Sequence, residues 1–296
     1  MSSPSDLQPP DGLPSPRHSA SPTFAVAFGA GAARGYAHVN VVEALDELGI
    51  RPKAISGSSI GAIAGACMAA GMGGREMREH CFSVLGRKSE VWSRVWSLRP
   101  TSLSQVFQSG LRISQFDIER ILKAFMPECL PEIFEELEIP LSVTATDYYG
   151  HRELTIESGD LISALAASSA LPGLFQPVRR AGMILVDGGV YNPVPFDLLK
   201  GKADILIGID VVGWPEGDPD RPASSSFDLL FGASQLMMQA IIDTRLKAEG
   251  PAIIIRPPIA DVRVLDFLGA RRIIEATESV KNDVKRAIDA AVAFTH

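Results

Sequence analysis

At 296 residues the chain is long enough to bury a full core, as one large domain or two small ones. It is 46% hydrophobic and 21% charged, an ordinary globular composition, and a net charge of −7 without any basic run argues against nucleic acid as a partner. Three scattered cysteines (Cys67, Cys81, Cys129) form no C-x-x-C pair, so they indicate neither a disulfide framework nor a zinc site, and a reduced, cytoplasmic setting is expected.

The chain begins with residues 1–22, which carry six prolines and six serines and no apolar h-region. A disordered tail is expected there rather than a signal peptide, followed by one domain over residues 23–296. Residues 23–28 form a compact apolar run, the signature of a buried first strand. The strand feeds Gly29-Ala30-Gly31-Ala32-Ala33-Arg34-Gly35 and then a helix to about Leu48. A glycine-rich turn between strand and helix suggests a dinucleotide fingerprint, but Arg34 occupies the third glycine position and no acidic residue ends the next strand. The same turn suits an oxyanion hole, where backbone N–H groups must converge without Cβ atoms in the way. Arg34 has three readings: orienting the loop, meeting an anionic head group, or standing on the helix surface as an ordinary arginine.

Residues 53–75 read as a short apolar strand, then Gly57-Ser58-Ser59-Ile60-Gly61, then a helix of small residues. This is G-x-S-x-G in a strand–turn–helix setting, where a serine is held exposed on a strained turn. Gly57, Gly61 and Gly65 recur every four residues and give the helix a face that packs close to the sheet. Three plainer readings compete. Residues 54–74 carry no charge and are long enough to span a bilayer, although their six glycines and three serines leave little to drive insertion. The others are a buried Gly/Ala helix with an incidental serine, and a nucleotide-binding turn.

Residues 75–135 are expected to be mostly helical, with Trp92 and Trp96 four apart on one face, a core stripe or a lipid-facing lid. Residues 140–147, 152–156, 184–186, 203–210 and 252–255 read as strands. A helix starts at Asp160, a Pro/Gly/Ser-rich loop covers roughly 213–226, and a helix runs through Met237-Met238. A long amphipathic helical pattern fills about 266–294. Strands alternating with helices indicate an α/β architecture with a largely parallel sheet. The strand around 184–186 ends in Asp187-Gly188-Gly189, which taken alone is an ordinary turn signal.

A serine hydroxyl needs a base within hydrogen-bond reach. The five histidines are His18, His38, His80, His151 and His296, and none follows Asp187 at a useful place. A Ser–His–Asp triad is therefore disfavoured by counting, each histidine fitting better as a surface or core residue. A carboxylate is the alternative base, if it is ionised, close and partly desolvated.

Four blocks together resemble the patatin-like phospholipases: residues 29–35, the elbow at 57–61, residues 167–178, and Asp187-Gly188-Gly189, in that order and spacing. The similarity extends over about 23–210 and is strongest to compact bacterial members. It implies a three-layer α/β/α sandwich with a mostly parallel central sheet, and a Ser–Asp dyad that hydrolyses acyl esters of phospholipids or lysophospholipids. By position it implies Ser59 as nucleophile and Asp187 as base. The N–H groups of Gly31 and Ala32 would form the oxyanion hole, which Gly29, Ala30 and Arg34 shape, with Gly57, Gly61, Gly188 and Gly189 as motif glycines. Ala30 and Ala32 depart from the all-glycine loop of the family. The implied partner is a lipid acyl ester, with transient membrane contact. No metal or cofactor is called for, and the residues do not set an oligomeric state. A non-hydrolytic lipid-binding regulator and an acyltransferase are the competing functions on the same scaffold.

Overall fold

The computed structural model describes residues 21–85, 116–215 and 226–295. Nearly all of the proposed tail, the tryptophan pair and most of the Pro/Gly/Ser-rich loop lie outside them. Eight strands form one sheet in the order β5-β6-β3-β2-β1-β7-β8, with β4 on the other edge of β3. They are β1 (Phe24–Phe28), β2 (Ala54–Ser58), β3 (Leu141–Asp147), β4 (Arg152–Ile156), β5 (Val178–Arg180), β6 (Met183–Asp187), β7 (Ile205–Ile209) and β8 (Ile253–Ile255). β3-β2-β1-β7-β8 are mutually parallel, whereas β4 and β6 run antiparallel to β3.

Side-chain alternation along the strands separates two cores. Phe24, Val26 and Phe28 of β1 point into the larger one with Ile55, Val143, Ile207 and Ile255, whereas Ala25 and Ala27 point into a smaller one with Val194, Phe196, Leu199 and Ile242. Helices α1 (His38–Glu47), α2 (Ile60–Ala69), α3 (Gly74–Leu85), α4 (Ile118–Phe125) and α5 (Leu161–Ser168) contribute to the larger core. The smaller core takes the 193–199 segment and α6 (Ser226–Glu249). Helices on both faces of a mixed sheet make the expected three-layer α/β/α sandwich. The uncharged stretch 54–74 is β2 and α2 inside the larger core, and among the described residues no helix is long and apolar enough to cross a membrane.

The pattern over 266–294 is not one helix. It divides into α7 (Ala270–Ala276) and α8 (Val280–Thr295). Buried Asn40 explains the break, since its Nδ2 donates to Ile274 O at 2.8 Å and to Thr277 Oγ1 at 2.9 Å, serving the last turn of α7 from another helix.

Two glycines let α2 lie directly on the strands. A Cβ on Gly61 would stand 2.2 Å from Phe28 O, and one on Gly57 would stand 2.5 Å from Ala62 Cα. Both obstacles are backbone, so neither contact relaxes by a rotamer change. Gly61→Ala is accordingly expected to cost roughly 2–3 kcal/mol, read as a lower urea midpoint at unchanged slope.

Candidate active site

Strand register explains why two residues 128 positions apart meet. β2 pairs with the first half of β3, Ser58 lying opposite Thr144, and β6 pairs with the second half, Asp187 lying opposite Ala145. β4 occupies the other edge of β3 over 143–147, so β2 and β6 share one edge and abut head to head. The residue that follows β2 is therefore delivered to the residue that ends β6. Ser59 Oγ donates to Asp187 Oδ2 at 2.6 Å, and both residues are buried.

Ser59 sits on the turn between β2 and α2 with φ 55° and ψ −126°, a conformation that L-residues rarely adopt. Its N–H donates to the buried Ser168 Oγ at 2.8 Å. The first turn of α2 opens beside it, where unpaired N–H groups favour negative charge. Asp187 is held from three sides. Its N–H donates to Ala170 O at 3.1 Å, its carbonyl accepts from Thr146 Oγ1 at 2.9 Å, and Oδ1 accepts from Gly189 N–H at 2.8 Å. Burial pushes its carboxyl up to about 6, against the opposing pull of the bonds from Ser59 and Gly189. At neutral pH the group remains largely ionised but binds a proton more readily than a surface aspartate. Gly188 is needed for close approach, because a Cβ there would meet Thr144 O at 2.4 Å.

The glycine-rich loop is pinned so that two N–H groups stay open. Gly29 N–H donates to Ile209 O at 2.9 Å, Ala30 N–H to Pro193 O at 2.8 Å, and Ala33 N–H to Val264 O at 2.9 Å. Between them the N–H groups of Gly31 and Ala32 meet no acceptor among the described residues. Ala32 has φ 49°, so the departure from glycine is tolerated at the expense of local strain. The loop lies against Asp187-Gly188-Gly189, a Cβ on Gly189 falling 3.0 Å from both Ala30 Cβ and Asp187 Oδ1.

Arg34 is buried rather than on the helix surface. Its Nε donates to Val262 O at 2.8 Å and one terminal nitrogen to Val212 O at 2.7 Å, so the guanidinium ties the loop to the chain after β7. The sequence offered no specific role for Ser168, Thr146 or His38. Of these only Ser168 lies in one of the four blocks. His38 is fully buried, stacks edge-on against Phe28, and places Nε2 2.9 Å from Gly29 O, with burial holding it down to about 4. It is thus a neutral prop beneath the loop and touches neither Ser59 nor Asp187. Among the described residues no group of three His, Cys, Asp or Glu is placed to hold a metal.

A model of the patatin-like phospholipase family matches residues 26–200. An NTE family protein of Mycobacterium bovis is 34% identical over 209 residues, covering 70% of this chain and 54% of that protein. The "lysophospholipase nte1" of Aspergillus fumigatus is 29% identical over 193 residues, 65% of this chain and 12% of that protein. Patatin-like phospholipase domain-containing protein 7 of Rattus norvegicus is 28% identical over 269 residues, 82% of this chain and 19% of that protein. The chain thus spans about half the length of the mycobacterial relative and much less of the other two.

Proposed function

The chain belongs to the patatin-like phospholipase family, and from that premise we propose that it is a serine acyl hydrolase of lipid esters working through a Ser59–Asp187 dyad. The observation that carries this reading is the 2.6 Å bond from Ser59 Oγ to Asp187 Oδ2. As Ser59 Oγ attacks the ester carbonyl carbon, its proton passes to Asp187 Oδ2. The carbonyl oxygen becomes an oxyanion and is received by the open N–H groups of Gly31 and Ala32, each such donor typically being worth about 3–4 kcal/mol. Collapse breaks the ester bond, and the leaving alcohol takes the proton from Asp187. Water then attacks the acyl-enzyme with Asp187 as base, releasing the fatty acid and restoring the Ser59 hydroxyl.

Ser168 acts by orienting the Ser59 peptide, and the neutral His38 by orienting the Gly29 carbonyl. A reducing, cytoplasmic setting agrees with Cys67, Cys81 and Cys129 all being free thiols. The reading is tested by measuring fatty acid release from p-nitrophenyl acyl esters and from lysophosphatidylcholine. Turnover of both supports it. Binding of lysophosphatidylcholine without turnover of either would leave a lipid-binding regulator. Acyl transfer to an added alcohol in place of fatty acid release would make the protein a transferase.

A further inference from the structure

The N-terminal half of helix α6 is amphipathic the wrong way round for a helix packed on a protein core, whereas its C-terminal half turns Ile242 and Leu246 inward. Its inward positions carry glutamines, with Gln235 only 4% and Gln239 only 1% exposed. Gln235 Nε2 donates to Val212 O at 3.0 Å, and Gln239 Nε2 to Asp210 Oδ1 at 3.3 Å. Its outward positions carry Leu229 (62% exposed), Leu230 (68%), Leu236 (50%) and Met237 (62%). From 229 to 242 the helix has no charged residue. Four large apolar side chains on one uncharged face are costly to leave in water.

The placement of that face identifies what covers it. The C-terminal half of α6 packs on the sheet, with Ile242 and Leu246 in the smaller core. At 24 residues the helix is about 36 Å long, and Gln235 and Gln239 fasten its middle turns to the chain that leaves β7. At Gly232 it lies against Pro215, beside exposed Trp214, and a Cβ on Gly189 would fall 3.3 Å from Met238 Sδ. Exposed Val190 follows Gly189 directly. Met238, the chain neighbour of outward-facing Met237, thus joins α6 to the Asp187-Gly188-Gly189 turn. A second copy seated there in a two-fold dimer would cover the mouths of both sites. An aggregated lipid surface seated there would instead present acyl esters to the mouth.

We propose that the outward face of α6, with Trp214 and Val190, is the surface by which the protein docks on lipid bilayers or micelles. The proposal rests on the lipid hydrolase reading but is tested apart from it. The face is uncharged and the chain carries −7 overall, so docking works by apolar insertion and not by attraction to anionic head groups. The test is co-sedimentation of the full chain with phosphatidylcholine vesicles, which needs no turnover. Wild type should co-sediment equally at low and high salt. The triple variant Leu230→Ser/Leu236→Ser/Met237→Ser should bind roughly a hundredfold more weakly. It should hydrolyse soluble p-nitrophenyl butyrate at the wild-type rate, which also reports that it is folded. Leu236→Trp alone should gain a fluorescence component, absent from wild type, that shifts to the blue when vesicles are added. Unchanged vesicle binding by the triple variant would overturn the proposal, as would a Leu236→Trp component that vesicles leave unshifted. So would a wild-type dimer in light scattering that the triple substitution converts to a monomer. Vesicle binding with no ester turnover would count against the hydrolase reading and leave the docking face standing.

Discussion

Ser59→Ala should lower hydrolysis of a p-nitrophenyl acyl ester by roughly 10⁴-fold or more, with the protein still folded. The size of the loss follows from removing the only atom that forms the acyl-enzyme, while the loop and its open N–H groups remain. Stability should fall only modestly, for two reasons. Asp187 loses one of its two donors and is left with Gly189 N–H, which costs about 1–2 kcal/mol. The backbone at position 59 keeps φ 55°, as strained for alanine as for serine. Ser59→Gly should be equally inactive yet more stable than Ser59→Ala by about 1 kcal/mol, because glycine adopts that conformation without a Cβ penalty. Chemical denaturation of both variants checks the ordering.

Asp187→Asn should lose turnover by about 10³-fold or more and yet unfold at a higher denaturant concentration than wild type at pH 8. An amide cannot take the Ser59 proton, but its Oδ1 can still accept from Gly189 while Nδ2 faces Ser59 Oγ. The stability effect comes from burial. The Asp187 pKa is lifted from 3.8 to about 6, so folding disfavours the ionised form. Below about pH 4 the carboxyl is protonated in folded and unfolded chains alike, and it contributes no penalty. As pH rises through about 4 to 6 the unfolded chain releases the proton first. Above about pH 6 the penalty is complete, at about 3 kcal/mol. The gain of the asparagine variant should therefore be greatest above about pH 6 and vanish near about pH 4. In the wild type the same ionisation should appear as an acid limb near about pH 6 in kcat/KM, because only the carboxylate accepts the proton. A limb near about pH 4 would mean that Asp187 is hydrated in the working enzyme.

Much of the sheet was legible because β1, β7 and β8 are short apolar runs, and the elbow at Ser59 announces itself by local spacing. Asp187 taken alone was legible only as a strand-end turn; counting out the histidines made it a candidate base, and the resemblance then implied that role. Its meeting with Ser59 depends on β2 and β6 abutting along β3, a register set between segments far apart in the chain. No local pattern encodes that. The hairpin joining β5 to β6 was missed because its first strand ends in Arg179-Arg180 and turns at Ala181 and Gly182, both at positive φ. Alanine gives little signal for such a turn. The break between α7 and α8 was hidden for a similar reason: the amphipathic pattern continues through it, and Asn40, which serves the end of α7, lies more than two hundred residues away. The sequence left Arg34 open among three roles because the carbonyls that bury it belong to residues 212 and 262. Of the outward face of α6 only the Met237-Met238 pair stood out in the sequence, and it read as core filler, whereas Met237 faces outward.

The proposed chemistry requires a buried carboxylate to activate the Ser59 hydroxyl, and a fluorophosphonate probe reads that activation without any choice of lipid. Labelling of the full chain followed by peptide mass spectrometry should place the adduct on Ser59. The rate should fall at least about a hundredfold in Asp187→Asn, and no adduct should form in Ser59→Ala. An adduct on another residue, or equal labelling of wild type and Asp187→Asn, would contradict it.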